Sequence, residues 1–538
     1  MKKIAKRVEK LFIPLYNQYV NKLLKSQSFF GGKQIMKSKM FKTVTTSLAV
    51  MFLLAGCGSN KTADTKESSK SSESSTEVTT GASEKGYTDP KEMKDEYDII
   101  IVGAGGAGMA AAIEAKNDGK NPVIFEKMPV AGGNTLKSSS GMNASETKFQ
   151  KEEGIEDSND KFFEETLKGG HGTNDQELLR FYVDNSADAI DWLDSMGIKL
   201  NNLTITGGMS EKRTHRPEDG SAVGGYLVDG LTKNVFEKEI PLFVNADVTE
   251  ITEKDGQVTG VKVNVEGTEK EVKSKAVVVT TGGYGANPKM LEAEKPELKG
   301  YVTTNSDGST GDGIKMIEKL GGQTVDMDQI QIHPTVQQDK GILIGEAVRG
   351  EGGILVSQEG KRFVNEMDTR DNVSAAENAL KEKSSYLIFD SGVKERVKAI
   401  DFYEKQGFVT KADSVEVLAK ELKMDEKTLQ ETVDTWNKAV ADKKDTEFKR
   451  ETGMDNGLDG KEFYAIKIAP GIHYTMGGVK INTKTEVLDK DGKAIPGLFA
   501  AGEVTGGLHG ENRIGGNSVG DIIVFGRESG KQSAAFVK

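Results

Sequence analysis

The 538-residue chain is 36% hydrophobic and carries a net charge of −11, an ordinary balance for a globular protein and an unfavourable one for nucleic acid. Its one cysteine, Cys57, excludes an internal disulfide, a Cys-based zinc or iron–sulfur centre and a Cys-x-x-Cys-His haem attachment. No metal site is expected, and the length leaves room for two or three domains behind a front tail.

Lys37, Lys39 and Lys42 precede a weakly apolar run at 44–55, too short to span a bilayer but suited to a signal-peptide core. The run closes with Leu54, Ala55, Gly56 and Cys57, which resembles a bacterial lipoprotein signal in which the cysteine is lipidated. Residues 1–57 are therefore read as leader and signal peptide, with Met36 or Met40 as alternative starts. The expected location is the extracytoplasmic face of the cell membrane, held by lipid. Residues 58–94 are rich in Ser, Thr, Glu and Lys and poor in large apolar side chains. Such a segment cannot bury enough surface to offset its ordering entropy, so a flexible tether is expected.

The folded part opens with a strand-type apolar run at 97–102. Gly103, Gly105, Gly106, Ala107 and Gly108 follow in G-x-G-x-x-G order, then an alanine-rich helix to about residue 118. A second strand at 122–125 ends at Glu126 and Lys127. This βαβ order places a pyrophosphate on the helix N-terminus and a ribose hydroxyl on Glu126. The Gly/Ser/Asn stretch that follows, with Gly133, Asn134, Thr135, Ser140, Gly141, Met142 and Asn143, suits the lining of a flavin. Residues 243–279 read as strands joined by an Asp255-Gly256 turn. They lead to Thr281 and Gly282, and to Asp312 before a further helix. Far downstream, residues 502–518 pack six glycines around Arg513, a residue able to clamp a carboxylate through two parallel hydrogen bonds. Glycine-rich elements at both ends of the chain fit a flavin enzyme better than a simple nicotinamide dehydrogenase.

Over residues 95–538 the chain resembles the fumarate reductase/succinate dehydrogenase flavoprotein superfamily, in its soluble fumarate reductase branch. The similar motifs are Gly132-Gly133-Asn134-Thr135, His333-Pro334-Thr335, Glu346 to Gly350, Arg362 to Glu366 with Thr369-Arg370-Asp371, His473 to Gly478, and the 502–518 stretch. The resemblance implies an α/β fold, a Rossmann-like FAD-binding domain (95–328 and 469–538) interrupted by an α+β capping domain (329–468), with the active site between them. It extends the flavin contacts to Val248, His473, Tyr474, Glu503, Arg513, Gly516, Asn517, Ser518 and Val519. No histidine lies near residues 132–142, where membrane-bound relatives attach FAD, so noncovalent FAD is expected. Within the cap, residues 414–440 read as helix, punctuated near Met424-Asp425.

An enoate reductase needs a hydride donor, a carboxylate clamp and a proton source. His333, His473 and Arg513 are the candidate clamps, with Thr335 and Gly345 beside the substrate; both histidines are expected on loops. By resemblance Arg370 is the acid, and Glu346 and Arg349 are its proton relay. The alternative for Arg370 is an electrostatic clamp without proton transfer, and for Glu346 and Arg349 a structural ion pair. Gly345 stands where the family often carries a threonine that touches a substrate carboxylate. His171 and His215 receive no role.

The expected function is reduction of the C=C bond of an unsaturated dicarboxylate, fumarate to succinate, by an extracytoplasmic terminal reductase. Alternatives are urocanate or another enoate as substrate, the reverse reaction, or a lipoprotein that binds flavin or substrate without turnover. Electrons must come from a donor. Residues 77–83, ending at Ser83, resemble the Asp-x-x-Ser/Thr-Gly-Ala-Ser/Thr sequence on which bacterial flavin transferases attach FMN, with Glu77 in place of aspartate. One reading gives Ser83 a covalent FMN linked to an extracellular electron-transfer chain; the other is an unmodified tether.

Overall fold

The computed structural model describes residues 86–538. The leader, Cys57, Ser83 and most of the expected tether lie outside them. The tether does not run to residue 94, however. Tyr87 packs edge-on against Phe236, with ring centroids 5.9 Å apart. The Thr88 N–H donates to the Leu242 carbonyl at 2.9 Å, and Met93 is buried. These few apolar anchors dock residues whose polar neighbours gave them the composition of a linker.

Strand β1 (Ile99–Val102) is buried at all four positions, as a parallel strand covered on both faces must be. It leads into helix α1 (Gly106–Asn117), then β2 (Pro122–Phe125) and β3 (Leu242–Phe243). A three-stranded antiparallel sheet at Ala246–Lys254, Gln257–Val265 and Thr268–Lys273 follows. Its first hairpin turns at Asp255 and Gly256, with φ of 56° and 79°, the double left-handed geometry of a type I′ turn. Strand β4 (Ala276–Val279) returns beside β1.

The chain then crosses to a second layer through β5 (Ile330–Gln337), the short helix α2 (Ala347–Gly350), β6 (Ile354–Val356), α3 (Arg370–Asn378), β7 (Ser385–Asp390) and β8 (Phe463–Thr475). It comes back with β9 (Glu486–Leu488), β10 (Ala494–Ala500) and α4 (Asn517–Phe536).

The first sheet has the order β9-β10-β4-β1-β2-β3, parallel except for β9. The C-terminal strand β10 thus completes a sheet begun almost 400 residues earlier. Helix α4 seals it against α1. A Cβ on Gly526 would sit 2.8 Å from the Ala107 carbonyl oxygen, and one on Gly530 2.4 Å from that of Ala111. The alanine run of α1 and these two glycines are what let the helices approach so closely.

The second sheet is antiparallel, with β8 at its centre between β5 and β7. Helices Val415–Leu422 and Glu426–Ala441 cover it. They are separate because Ser414 and Asp425 each cap the helix that follows, accepting from the Val417 and Thr428 N–H groups. Two hydrophobic cores result, one drawing on residues 93–330 and 472–537, the other on 344–468. The transition is not a loop: β8 pairs with β5 from Ile330↔Thr475 to Val336↔Ala469, with register shifts between Gln331 and Ile332 and between His333 and Val336. The expected boundary at 468/469 falls inside this strand, which serves both cores.

The cap also holds a buried ionic network. Arg362 donates twice to Glu366, both at 2.8 Å, and once to Asp445 at 2.9 Å. Arg450 donates to Glu366 at 3.1 Å. Both guanidinium groups lie over the Trp436 ring, at 4.8 and 4.4 Å. Removing one member of such a set leaves buried charge unpaired, at a cost of about 3–5 kcal/mol. Glu366→Ala is therefore expected to lower the unfolding free energy by an amount of that order, measured by chemical denaturation.

Candidate active site

The two histidines expected on loops sit on strands. His333 lies in β5 and His473 near the end of β8. Proline at 334 cannot donate to a ladder, and the β5/β8 register shifts between His333 and Val336 to accommodate it. Prolines and glycines near a histidine thus mark an irregular strand here. The rings meet edge to face, 5.1 Å apart. Both histidines are held well below their usual pKa, by burial first and then by the charge of Arg370.

Thr335 does not supply a free hydroxyl to the cleft. Its Oγ1 donates to the Ile344 carbonyl at 2.6 Å, and its N–H donates to His333 Nδ1 at 3.2 Å. It orients His333: with Nδ1 accepting, the neutral ring carries its proton on Nε2. That Nε2 is buried without a hydrogen-bond partner among the described residues, 3.7 Å from Glu346 Oε1. The other histidine is braced by Thr304, whose Oγ1 lies 2.8 Å from His473 Nδ1.

Glu346 is the hub. Its Oε1 accepts from Arg370 Nε at 2.7 Å and lies 3.6 Å from Arg349 Nη2. Its Oε2 accepts from Thr206 Oγ1 at 2.5 Å. Burial would raise this carboxyl, but the charges of Arg370 and Arg349 and the two hydrogen bonds outweigh it and hold the pKa at about 2. Arg370 opens α3 and also donates from Nη1 to Gln331 Oε1 at 3.0 Å. Gln331 in turn donates to Asn512 Oδ1 and the Arg513 carbonyl, at 2.9 and 2.7 Å. The loop carrying Arg513 is so close that a Cβ on Gly515 would meet Glu346 Oε2 at 2.2 Å. Arg513 itself stacks 4.2 Å over Tyr474 and donates to Ser518 Oγ at 3.1 Å. Its Nε is buried without a partner among the described residues, and burial, then the charge of Arg370, lowers its pKa to about 10.

Of the residues expected to hold FAD, Gly103 to Gly108, Glu126, Thr281 and Glu503 follow the C-terminal ends of the parallel strands β1, β2, β4 and β10, where ligands of such sheets bind. The two glycine loops run side by side through a bridge between Gly105 and Gly132. A Cβ on Gly133 would meet nothing within 4 Å, so the backbone there faces open space. The Thr281 hydroxyl, just past β4, is buried without a partner among the described residues. Each Glu126 oxygen accepts one backbone N–H, from Ala104 and Met128, and keeps capacity for a ribose hydroxyl. These features fit a dinucleotide, with the N-terminus of α1 toward the pyrophosphate. Glu503 accepts from Asn134 at 2.9 Å and from the Thr475 N–H at 3.1 Å, tying the two halves of the FAD domain together.

A family model for the FAD binding domain matches residues 98–519. The chain is 44% identical over 448 residues to the fumarate reductase (cytochrome) of Shewanella frigidimarina, covering 82% of this chain and 78% of that one. The chain belongs to the soluble fumarate reductase branch of the FAD-binding domain family. It is also 52% identical over 439 residues to the NADH:fumarate oxidoreductase of Klebsiella pneumoniae, covering 81% of this chain but 48% of that longer protein. In structure it is similar to an open flavocytochrome c3 fumarate reductase, with 40% identity, a TM-score of 0.69, and 83% and 79% of the two chains covered.

Several expected flavin contacts of this fumarate reductase-type chain are spent elsewhere. The Asn143 side chain donates to the Gly515 carbonyl and Asn517 Oδ1, both at 2.7 Å, and accepts from Thr214 at 2.6 Å. Asn143 and Asn517 thus splice the first flavin loop to the start of α4, and their side chains have little capacity left for a cofactor. Lys127 pairs with Asp312 at 2.6 Å, and Val248 is buried on the strand after β3. Gln331 and Thr206 went unseen in the sequence. The Gln-x-His spacing on a strand was an available signal for the first; Thr206 lies 140 positions from Glu346 and had none. His171 pairs with Asp371 at 2.7 Å beside Arg370, and His215 is a buried residue bonded to Thr147 at 2.8 Å.

Depressed imidazoles remain neutral in the folded state at pH values where the unfolded chain, with a histidine pKa of about 6.5, binds protons. Stability from His333 and His473 is therefore full above that pH and declines as pH falls below it. Nitrogen-15 spectra of histidine-labelled protein should show neither ring titrating between about pH 6 and 8.

Proposed function

We propose that this chain reduces the C=C bond of an unsaturated dicarboxylate, fumarate to succinate. The observation that carries this reading is the charge of the cleft. Arg349, Arg370 and Arg513 are all buried, and Glu346 is the one carboxylate within 4 Å of their guanidinium groups among the described residues. Buried positive charge in excess is costly unless an anion joins it. A dianion with carboxylates at both ends meets that need.

Bound between the loops described above, FAD in its reduced form supplies the hydride. The protein does the rest. Arg513, beside neutral His473, orients one carboxylate. His333 presents its Nε2–H toward charge that develops at the other. Arg370 is fixed by Glu346 on one side and Gln331 on the other, so its free donors point where those two bonds leave them. An arginine gives up a proton only when the transfer is coupled to bond formation and the proton is replaced at once. Glu346, touching both Arg370 and Arg349, is placed to return it.

Arg370→Ala and Arg370→Lys should each lower turnover of fumarate by at least about 10²–10³-fold while the flavin absorbance is unchanged, because an ammonium cannot reproduce the fork. Reduced protein should be reoxidised by fumarate faster than by acrylate, crotonate or urocanate. Wild-type rates in Arg370→Ala, or preference for a monoacid, would end the dicarboxylate reading.

We further propose lipid anchoring at Cys57 on the extracytoplasmic face and FMN on Ser83 as the entry point for electrons from an extracellular donor, after transfer by a flavin transferase. The motifs around those residues support this. Intact mass of protein from its native host should show an added FMN phosphoryl group that Ser83→Ala removes; unmodified protein with full respiratory activity would refute it.

A further inference from the structure

His171 lies on the loop between helices Asn159–Gly169 and Gln176–Asp184, in the FAD half. Its φ is 61°, a left-handed conformation that side chains seldom adopt, although Gly170 and Gly172 stand on either side of it. Backbone strain of this kind persists where the surroundings hold the side chain in place. The ring has one hydrogen-bond partner among the described residues, Asp371 Oδ2 at 2.7 Å. Asp371 is the second residue of α3 and directly follows Arg370. Its Oδ1 is buried without a partner among the described residues.

The loop beneath His171 is joined to the loop that carries Arg513. The Glu511 N–H donates to the Gly170 carbonyl at 3.3 Å and to Thr173 Oγ1 at 3.0 Å. Asn512 Nδ2 donates to the Gly169 carbonyl and Asn174 Nδ2 to the Leu508 carbonyl, both at 2.9 Å. A Cβ on Gly510 would sit 2.6 Å from the Gly170 carbonyl oxygen, so the two loops touch backbone to backbone.

The geometry points to His171 as a positioning residue, a clasp from the Arg513 loop onto the first turn of α3 that sets the spacing between Arg513 and Arg370 across the cleft. One end of the contact belongs to the FAD half and the other to the cap. Arg370 and Asp371 are adjacent at the start of one helix, so a shift of that turn moves both. The Nε2–H donates to the carboxylate, and a protonated ring adds Coulomb attraction to the bond. The two side chains are 42% and 36% exposed, so solvent screens that attraction and the pair is a weak one. Its loss therefore loosens an alignment rather than the fold. Proton transfer is sensitive to alignment: a misplacement of about 1 Å can cost up to about 10²-fold in rate. This inference rests on the reading of Arg370 as acid and Arg513 as clamp, and deepens it.

The test uses FAD-loaded protein and the variants His171→Gly, Asp371→Ala and the two together. Glycine suits a left-handed backbone, so His171→Gly removes the ring and leaves the loop its conformation. Each single variant should lower kcat for fumarate about threefold or more, with KM changed by less than about twofold, as expected when only the transition state loses a contact. The double variant should fall no further than the singles, because both remove the same contact. Hydrogen exchange, read by mass spectrometry on the side opposite each substitution, should quicken at 369–376 in His171→Gly and at 167–175 in Asp371→Ala. Unchanged kcat, losses that add in the double variant, or unchanged exchange overturns the clasp. A wild type that fails to reduce fumarate, with exchange quickened on both sides, overturns the activity reading and supports the clasp. Thermal unfolding identifies a variant that has merely lost its fold; the other single variant then decides alone.

Discussion

One carboxylate holds the cleft together. Glu346 sits between Arg370 and Arg349 in a buried site, and its charge is what makes two guanidinium groups tolerable there. Coulomb attraction grows as the dielectric falls, so such a carboxylate binds its neighbours far more firmly than a surface ion pair would. Its geometry is enforced from three directions. Thr206 fixes the second oxygen, Gly515 leaves no room for a side chain above it, and the cap network braces Arg349 from behind. Arg349 Nη1 donates to the Glu366 carbonyl at 2.6 Å, and Glu366 anchors Arg362 and Arg450. The stability of the cap and the placement of the relay are thus one system of charges.

That arrangement explains why the molecule is divided as it is. Glu346, Arg349 and Arg370 belong to the cap; Thr206 and Arg513 belong to the FAD half. Neither layer holds the site alone. The ribbon of β5 and β8 carries His333 and His473 between the two cores, so the histidines are positioned by a rigid pair of strands while the charged groups approach from either side.

The parts of this fold that are written locally were legible in the sequence. Strand, glycines, alanine-rich helix, second strand and acid appear in order because each obeys a short-range rule: burial on both faces for β1, the helix start after Gly105, a left-handed turn at Asp255-Gly256. Arg513 stood out because an arginine among glycines has no ordinary packing role, whereas Arg370 was reached only through the resemblance of its motif. What escaped was set by tertiary contact. His333 and His473 looked like loop residues since proline and glycine mark loops more often than bulged strands. Thr335 looked like a ligand contact, but a strand turned it toward Ile344. Tyr87 and Met93 were hidden by polar neighbours, and their docking on the first core shortened the tether. Gly345 was visible as a departure, yet only the fold shows that Ser139 and Tyr403 stand over it.

The charge of the cleft also sets a limit on what it can achieve. Fumarate and succinate are both dianions of similar length, so on the proposed reading Arg513 attracts substrate and product alike. Interactions of equal strength in both states lower KM without raising kcat. Rate enhancement must come from groups whose interaction changes along the reaction. In the reaction we propose, Arg370 gives up a proton, and His333, kept neutral by burial and by the charge of Arg370, offers a donor to an oxygen that becomes more negative as the double bond is attacked. A cationic histidine would bind the ground-state carboxylate more tightly and lose that difference. The depressed imidazoles therefore do more than tolerate their surroundings: neutrality keeps the clamp from holding the ground state too well, and leaves the change in charge to be met by Arg370 and the relay behind it.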